Sequence, residues 1–150
     1  MAATAWRSWW AILINERVAL GPRAIVHRLR EMEPTVLVVD DDFDIRSTLA
    51  QILREEGFRV REARNGLEAL EKVDEEEPDL VLLDLMMPVL KGWEVLKALR
   101  HSRAELPVVV LSAIPASGCT DYLQKPVSFE RLLELLAVIR ARVSARRAIT

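Results

Sequence analysis

The chain has 150 residues, 51% of them hydrophobic and 29% charged, with a formal net charge of −2. That length suits one well-buried core and leaves too little chain for two ordinary domains. The single cysteine, Cys119, excludes an internal disulfide and points to a reducing compartment.

The charge is unevenly spread: residues 34–139 carry 12 basic and 20 acidic residues, whereas residues 1–33 and 140–150 are net basic. An acidic centre argues against nucleic acid as a direct partner. The four arginines of the tail, Arg140, Arg142, Arg146 and Arg147, read as a solvated helix end that complements the helix dipole. His27 and His101 lie outside any metal-ligand spacing and read as surface residues.

Residues 1–33 hold three of the four tryptophans, Trp6, Trp9 and Trp10. The apolar stretch from Trp9 to Ile14 is too short to span a membrane, and no small-residue cleavage pattern marks a signal peptide. Pro22 to Arg30 reads as a short basic helix. Translation is expected to begin at Met32, just before the first strand, with a membrane-surface or partner-binding arm as the alternative.

Thr35–Val39 reads as a buried strand that runs directly into Asp40, Asp41 and Asp42. Ile45, Leu49, Ile52 and Leu53 form the apolar stripe of a helix ended by Gly57. Arg59–Ala63 is a shorter, more polar strand suited to a sheet edge. Leu67, Leu70 and Val73 mark a second helix, with Asn65 as N-cap and Pro78 beyond its end. The run from Leu80 into Asp84 is almost continuously apolar and is followed by Pro88 and Gly92, as in a strand buried on both faces. Trp93, Leu96 and Leu99 suggest a third helix. Pro107–Leu111 is a strand ending in Ser112, and Tyr122–Gln124 a short one ending in Lys125-Pro126. A longer last helix, capped by Ser128, carries Phe129, Leu132, Leu133, Leu136 and Ile139. Strict alternation of strand and helix predicts an α/β fold with a doubly wound parallel sheet.

Four strand ends thus deliver acids, one acid, a hydroxyl and an amine to one rim of one sheet, where open α/β sheets bind ligands. Each has a structural explanation when taken alone: a solvated turn, a helix cap, a surface lysine. Together they suit phosphoryl transfer to a carboxylate. Clustered carboxylates repel one another and recruit a cation, and Mg2+ characteristically binds through one or two carboxylates and phosphate oxygens. A hydroxyl and an ammonium can hold the transferred group, and Asp84 would be the nucleophile that forms an acyl phosphate.

These residues resemble the receiver domain of bacterial response regulators. The resemblance covers about residues 34 to 144 and rests on Asp40-Asp41, Asp84-x-x-x-Pro88-x-x-x-Gly92, Ser112-Ala113 and Tyr122-x-x-Lys125-Pro126. It implies a five-stranded flavodoxin-like sheet of order 2-1-3-4-5, with Asp84 phosphorylated by a sensor histidine kinase or phosphotransfer protein. It further implies that Asp41, Asp84 and the backbone carbonyl of Met86 bind Mg2+ directly and Asp40 through water. Ser112 and Lys125 would contact the phosphoryl group, and Tyr122 would change rotamer on activation. Lys125-Pro126 would be a cis peptide.

The sequence departs from the family twice: in the extension over residues 1–33, and in the nine residues, Ala113 to Asp121, that separate Ser112 from Tyr122. A parallel crossover usually takes a dozen or more residues and a helix. Nine extended residues reach roughly 30 Å, enough to return along a strand and step sideways. Pro115, Ser117 and Gly118 further discourage a helix. The helix between the fourth and fifth strands is therefore expected to be missing or reduced, and with it one wall of the family's usual dimer, so a monomer is expected.

The expected organisation is an extension over 1–33, a receiver over 34–144 and a basic tail over 145–150, in a cytoplasmic, stand-alone protein without an output domain. It would catalyse only its own phosphorylation and dephosphorylation and signal through an unidentified downstream protein. Two other readings are open. One is a phosphorylation-independent adaptor. The other is a haloacid-dehalogenase-type phosphatase opening on Asp40-x-Asp42, although Asp44 stands where that motif expects Thr or Val and no acidic pair follows Lys125.

Overall fold

The computed structural model describes residues 21–114 and 121–149, with side chains at all of these but 28–31 and 147–148. The chain divides into two compact units, residues 1–32 and 33–150. In the first unit the described element is a helix, α1 (Pro22–Met32), slightly longer than expected. The tryptophan-rich stretch and Cys119 lie outside the described residues.

The second unit alternates as β1 (Thr35–Val39), α2 (Phe43–Glu55), β2 (Arg59–Ala63), α3 (Gly66–Glu75), β3 (Leu80–Asp84), α4 (Gly92–Ser102), β4 (Val108–Ser112), β5 (Tyr122–Gln124) and α5 (Phe129–Ile149). All strand pairs are parallel and the order is β2-β1-β3-β4-β5, as expected. Every residue of β1, β3 and β4 is buried. Successive side chains of a strand point to opposite faces, so a continuous apolar run furnishes two cores at once. Val36, Val38, Leu80, Leu82, Val109 and Leu111 pack against Leu49 and Leu53 of α2 and Leu132, Leu136, Ile139 and Val143 of α5. Leu37, Val39, Val81, Leu83 and Val108 pack on the other face against Ala69 and Val73 of α3 and Val95 and Leu99 of α4.

The expected stripe residues Leu49, Leu53, Val73, Leu99, Leu132, Leu136 and Ile139 are buried, but the first residues of the stripes are not. Leu67, Trp93 and Phe129 are 57%, 47% and 53% exposed, while Ala69, Val95 and Leu132 face the core in their helices. Small residues let α3 and α4 approach closely: a Cβ on Gly66 would lie 2.5 Å from Val95 Cγ2. Helix α2 stops as expected at Gly57, which has φ +84. There the Phe58 N–H donates to Leu53 O and the Gly57 N–H to Arg54 O, the paired bonds of a Schellman ending. Asn65 caps α3, accepting from the Glu68 N–H at 2.8 Å. Helix α5 runs on through the expected tail to Ile149.

The polar edge strand β2 is bound by charge. Arg61 donates to the terminal carbonyls of α3, Lys72 O at 2.7 Å and Glu76 O at 2.8 Å. Glu62 pairs with Arg54 at 2.9 Å and Arg46 at 3.4 Å. Charged side chains at an edge also discourage pairing with another chain.

Between β4 and β5 no helix occurs among the described residues, and residues 115–120 of that crossover lie outside them. Nine residues link two directly paired parallel strands, with Val110 opposite Tyr122 and Ser112 opposite Gln124.

Candidate functional site

Parallel pairing brings the carboxyl ends of the strands to one rim. Val39 is level with Leu83, which sets Asp40 beside Asp84, and Asp84 is level with Leu111, one residue before Ser112. Lys125 follows β5 directly, and its N–H donates to Ser112 O at 2.9 Å. Lys125-Pro126 is cis, as the resemblance implied.

Asp40, Asp41 and Asp84 each offer a carboxylate oxygen, all within 4.8 Å of one another. Asp40 is 0% and Asp84 3% exposed, while Asp41 faces solvent. The Lys125 ammonium bridges the buried pair, 2.9 Å from Asp40 Oδ2 and 3.3 Å from Asp84 Oδ2. The remaining oxygens meet backbone donors: the Asp42 N–H reaches Asp40 Oδ1 at 2.9 Å and the Met86 N–H reaches Asp84 Oδ1 at 3.1 Å. Burial raises the Asp84 carboxyl above its ordinary value; the Met86 N–H and Lys125 oppose this, while repulsion from Asp40 adds to it. For Lys125, burial disfavours the ammonium, but the bonds and charges of Asp40 and Asp84 outweigh it and raise its pKa.

The donor set fits a small hard cation. Octahedral Mg2+ holds oxygens at about 2.0–2.1 Å, so its ligands stand roughly 3–4 Å apart. The spread of the three carboxylates is slightly wider than this and would close with small side-chain adjustments.

Other expected residues lie on the rim without joining the cluster. Ser112 is buried, and its hydroxyl accepts from the Ile114 N–H at 3.2 Å. The Tyr122 hydroxyl is buried with no hydrogen-bond partner among the described residues. Met86 turns its side chain outward, 71% exposed. Asp42 belongs to the helix: its Oδ1 accepts from the Asp44 and Ile45 N–H groups and caps α2. Capping thus engages the Asp42 oxygen at the helix end, a structural role for the second acid of Asp40-x-Asp42.

One residue went unnoticed in the sequence, and another was noticed without its contact. Arg46 donates to Asp40 O at 2.8 Å, and Gly92 packs against the Asp84 backbone, where an added Cβ would lie 2.2 Å from Asp84 O. Gly92 was visible as part of a motif. Arg46 stands three, four and seven residues before Leu49, Ala50 and Leu53, the buried face of α2, so an arginine in line with an apolar stripe was the signal available.

Known proteins match this arrangement. The family model described as "Response regulator receiver domain" matches residues 36–137. The response regulator MprA of Mycobacterium leprae is 43% identical over 115 residues, 71% of this chain and 49% of its own. The transcriptional regulatory protein PrrA of Mycobacterium bovis is 43% identical over 122 residues, 75% of this chain and 51% of its own. The chain thus spans about half the length of the curated relatives it matches. Among solved structures, the receiver domain of Francisella response regulator 1452 aligns with TM-score 0.68 and 34% identity, covering 73% of this chain and 98% of that one. The chemotaxis response regulator CheY4 of Vibrio cholerae aligns with TM-score 0.66 and 31% identity, covering 71% and 98%. A family match over most of the chain, on a sheet of the expected order, assigns this chain to the receiver domains of two-component response regulators.

Proposed function

We propose that residues 34–144 form a phospho-accepting receiver, taking a phosphoryl group from a histidine kinase or phosphotransfer protein onto Asp84, with Mg2+ as cofactor. The observation that carries this reading is the meeting of Asp84 with Asp40, Asp41 and Lys125 in one pocket, drawn from three strand ends. Residues 1–33 are an extension and 145–150 a basic tail in this reading, and the setting is the cytoplasm.

In the reaction, an Asp84 carboxylate oxygen attacks phosphorus, the bond from phosphorus to the donor's imidazole nitrogen breaks, and an acyl phosphate forms. The Met86 N–H orients the carboxylate, and Lys125 meets the charge on the phosphoryl oxygens. Ser112 can turn its hydroxyl from the Ile114 N–H toward the same group. Asp41, Asp84 and the Met86 carbonyl would hold Mg2+, with Asp40 acting through water, and its charge would be available to offset that of the transferring group. The chain catalyses its own phosphorylation and dephosphorylation and otherwise acts by protein contact. Exposed apolar side chains follow the functional strand ends: Phe43, Met86, Ile114 and Phe129. A rim of this kind suits a protein phosphodonor.

Incubation with acetyl phosphate and Mg2+, followed by intact-mass measurement, tests the reading. One acid-labile phosphoryl group is expected on the wild type and none on Asp84→Asn. An adduct that persists in the variant, or no adduct on the wild type, refutes it; the latter result favours an adaptor that signals without phosphorylation.

A further inference from the structure

We propose that Arg46 is a positioning residue of the acidic pocket, fixing the peptide between Asp40 and Asp41 so that the Asp41 carboxylate faces Asp84. The proposal rests on the Mg2+-dependent reading above and assigns a role within that site to a residue outside the expected set.

Arg46 lies in the second turn of α2, where its N–H donates to Asp42 O at 3.0 Å. Its side chain is only 12% exposed, and the guanidinium is spent in three directions. NH1 donates to Asp40 O at 2.8 Å, Nε lies 3.4 Å from Glu62 Oε2, and the Phe43 ring centroid is 5.6 Å away. A largely covered guanidinium held by a carboxylate has little freedom, which steadies its hold on the Asp40 carbonyl.

That carbonyl belongs to the same planar unit as the Asp41 N–H. Holding it restricts the last torsion of Asp40 and the first of Asp41, and so the direction in which the Asp41 side chain leaves the backbone. Asp40 has other restraints: its N–H donates to Ala63 O at 3.2 Å, and its carboxylate meets Asp42 and Lys125. Asp41 has no hydrogen bond or ion pair of its own side chain among the described residues. Its aim depends on the peptide that Arg46 holds.

A charge-only account predicts the opposite sign, since removing a cation near three carboxylates would tighten Mg2+ binding. A purely structural account predicts a lower melting midpoint and an unchanged affinity. Arg54 supplies the control, because it shares Glu62 at 2.9 Å and makes no contact with Asp40.

The test is calorimetric titration of the full chain with Mg2+ alone, for wild type, Arg46→Met and Arg54→Met. Arg46→Met should weaken Mg2+ binding about ten-fold, as loss of a residue that orients metal ligands does, while Arg54→Met should match the wild type. At limiting Mg2+ the phosphorylated yield of Arg46→Met should fall, and saturating Mg2+ should restore it. Equal or tighter binding by Arg46→Met, or an equal loss in Arg54→Met, overturns the proposal. A wild type that binds no Mg2+ overturns the pocket reading and this proposal with it. Should Arg46→Met not fold, Arg46→Lys decides: one ammonium cannot reproduce the forked hold, so binding at least as tight as wild type refutes the role.

Discussion

Asp41→Asn should stabilise the metal-free protein and destabilise it relative to wild type once Mg2+ is present. Asp41 stands within 4.8 Å of the Asp40 and Asp84 carboxylates, and Lys125 bonds those two but not Asp41. At that separation two unit charges interact by about 3.5 kcal/mol at an effective dielectric of 20 and about 0.9 kcal/mol in water. Asp41 is exposed, so solvent screening places its net cost near the lower bound, about 1 kcal/mol. For a domain of this size that is a rise of about 4 °C in the melting midpoint in EDTA at low ionic strength. Mg2+ at a hundred times its dissociation constant should stabilise the wild type by about 2.7 kcal/mol, since it binds the folded state alone. The variant should lose most of that gain, so the two melting curves exchange order on adding Mg2+. Calorimetric scans with EDTA and with Mg2+ provide the check. An Asp41→Asn protein that melts below wild type in EDTA, or gains as much from Mg2+, would show that the carboxylate serves the fold instead.

The pocket also predicts a pH dependence. The raised Asp84 pKa means that the folded state holds this proton more tightly, so metal-free stability falls as pH rises from 3.8 through the raised value. Asp84→Asn should thus be more stable than wild type at neutral pH in EDTA, and urea titrations should find the gap closing near pH 4; a gap independent of pH would refute the cause. Lys125 contributes stability that is fully present below 10.5 and lost as pH rises through its own raised value, so Lys125→Met should lack that alkaline loss. Gly92→Ala should destabilise by about 3 kcal/mol and slow phosphorylation, because its Cβ would strike the Asp84 carbonyl. Gly57→Ala, at positive φ and with only the Arg140 side chain in van der Waals contact, should cost about 1 kcal/mol without changing phosphorylation; equal effects of the two on phosphorylation would refute the contact with Asp84. Residues 32–150 should stay monomeric in sedimentation velocity with beryllofluoride, and a clean shift to dimer would refute that. Hydrogen exchange should change most over residues 113–121 while Leu80–Leu83 stay protected.

Much of this was legible in the chain because a strand buried on both faces leaves a continuous apolar run, and its end is marked where the run meets a polar residue. Asp40, Asp84, Ser112 and Lys125 were all found at such ends. Helix existence was legible too, and part of each buried stripe, but not its centre in α3 and α4. Leu67 and Trp93 are large and regularly spaced, yet α3 and α4 meet the sheet through Ala69, Val73, Val95 and Leu99. Hydrophobic spacing gives the period of a stripe, whereas close approach at Gly66 shifts its centre. Asp42 as a cap could have been read from its place before a helical pattern. The Arg46–Glu62 pair could not, because it joins a helix face to an edge strand through a register that no local pattern encodes.

Lys125 is where the electrostatics of the pocket meet the short edge strand β5. Its ammonium is shared between Asp40 and Asp84, while its N–H is tied to Ser112 O. In the proposed reaction, Asp84 gains a phosphoryl group whose charge lies further out than the carboxylate it replaces. The ammonium is then drawn outward from Asp40. Asp40 cannot follow, because the Ala63 carbonyl, Arg46 and the Asp42 N–H hold it from three sides. The displacement must therefore fall on the β5 side. There the strand has three residues, its connection to β4 has nine, and the Tyr122 hydroxyl is buried without a partner among the described residues. A three-residue edge strand paired on one side resists movement less than β1, which is paired on both sides. In the proposed reaction, the asymmetry that fixes Asp40 would thus direct the response toward Ser112, Tyr122 and the β5 side.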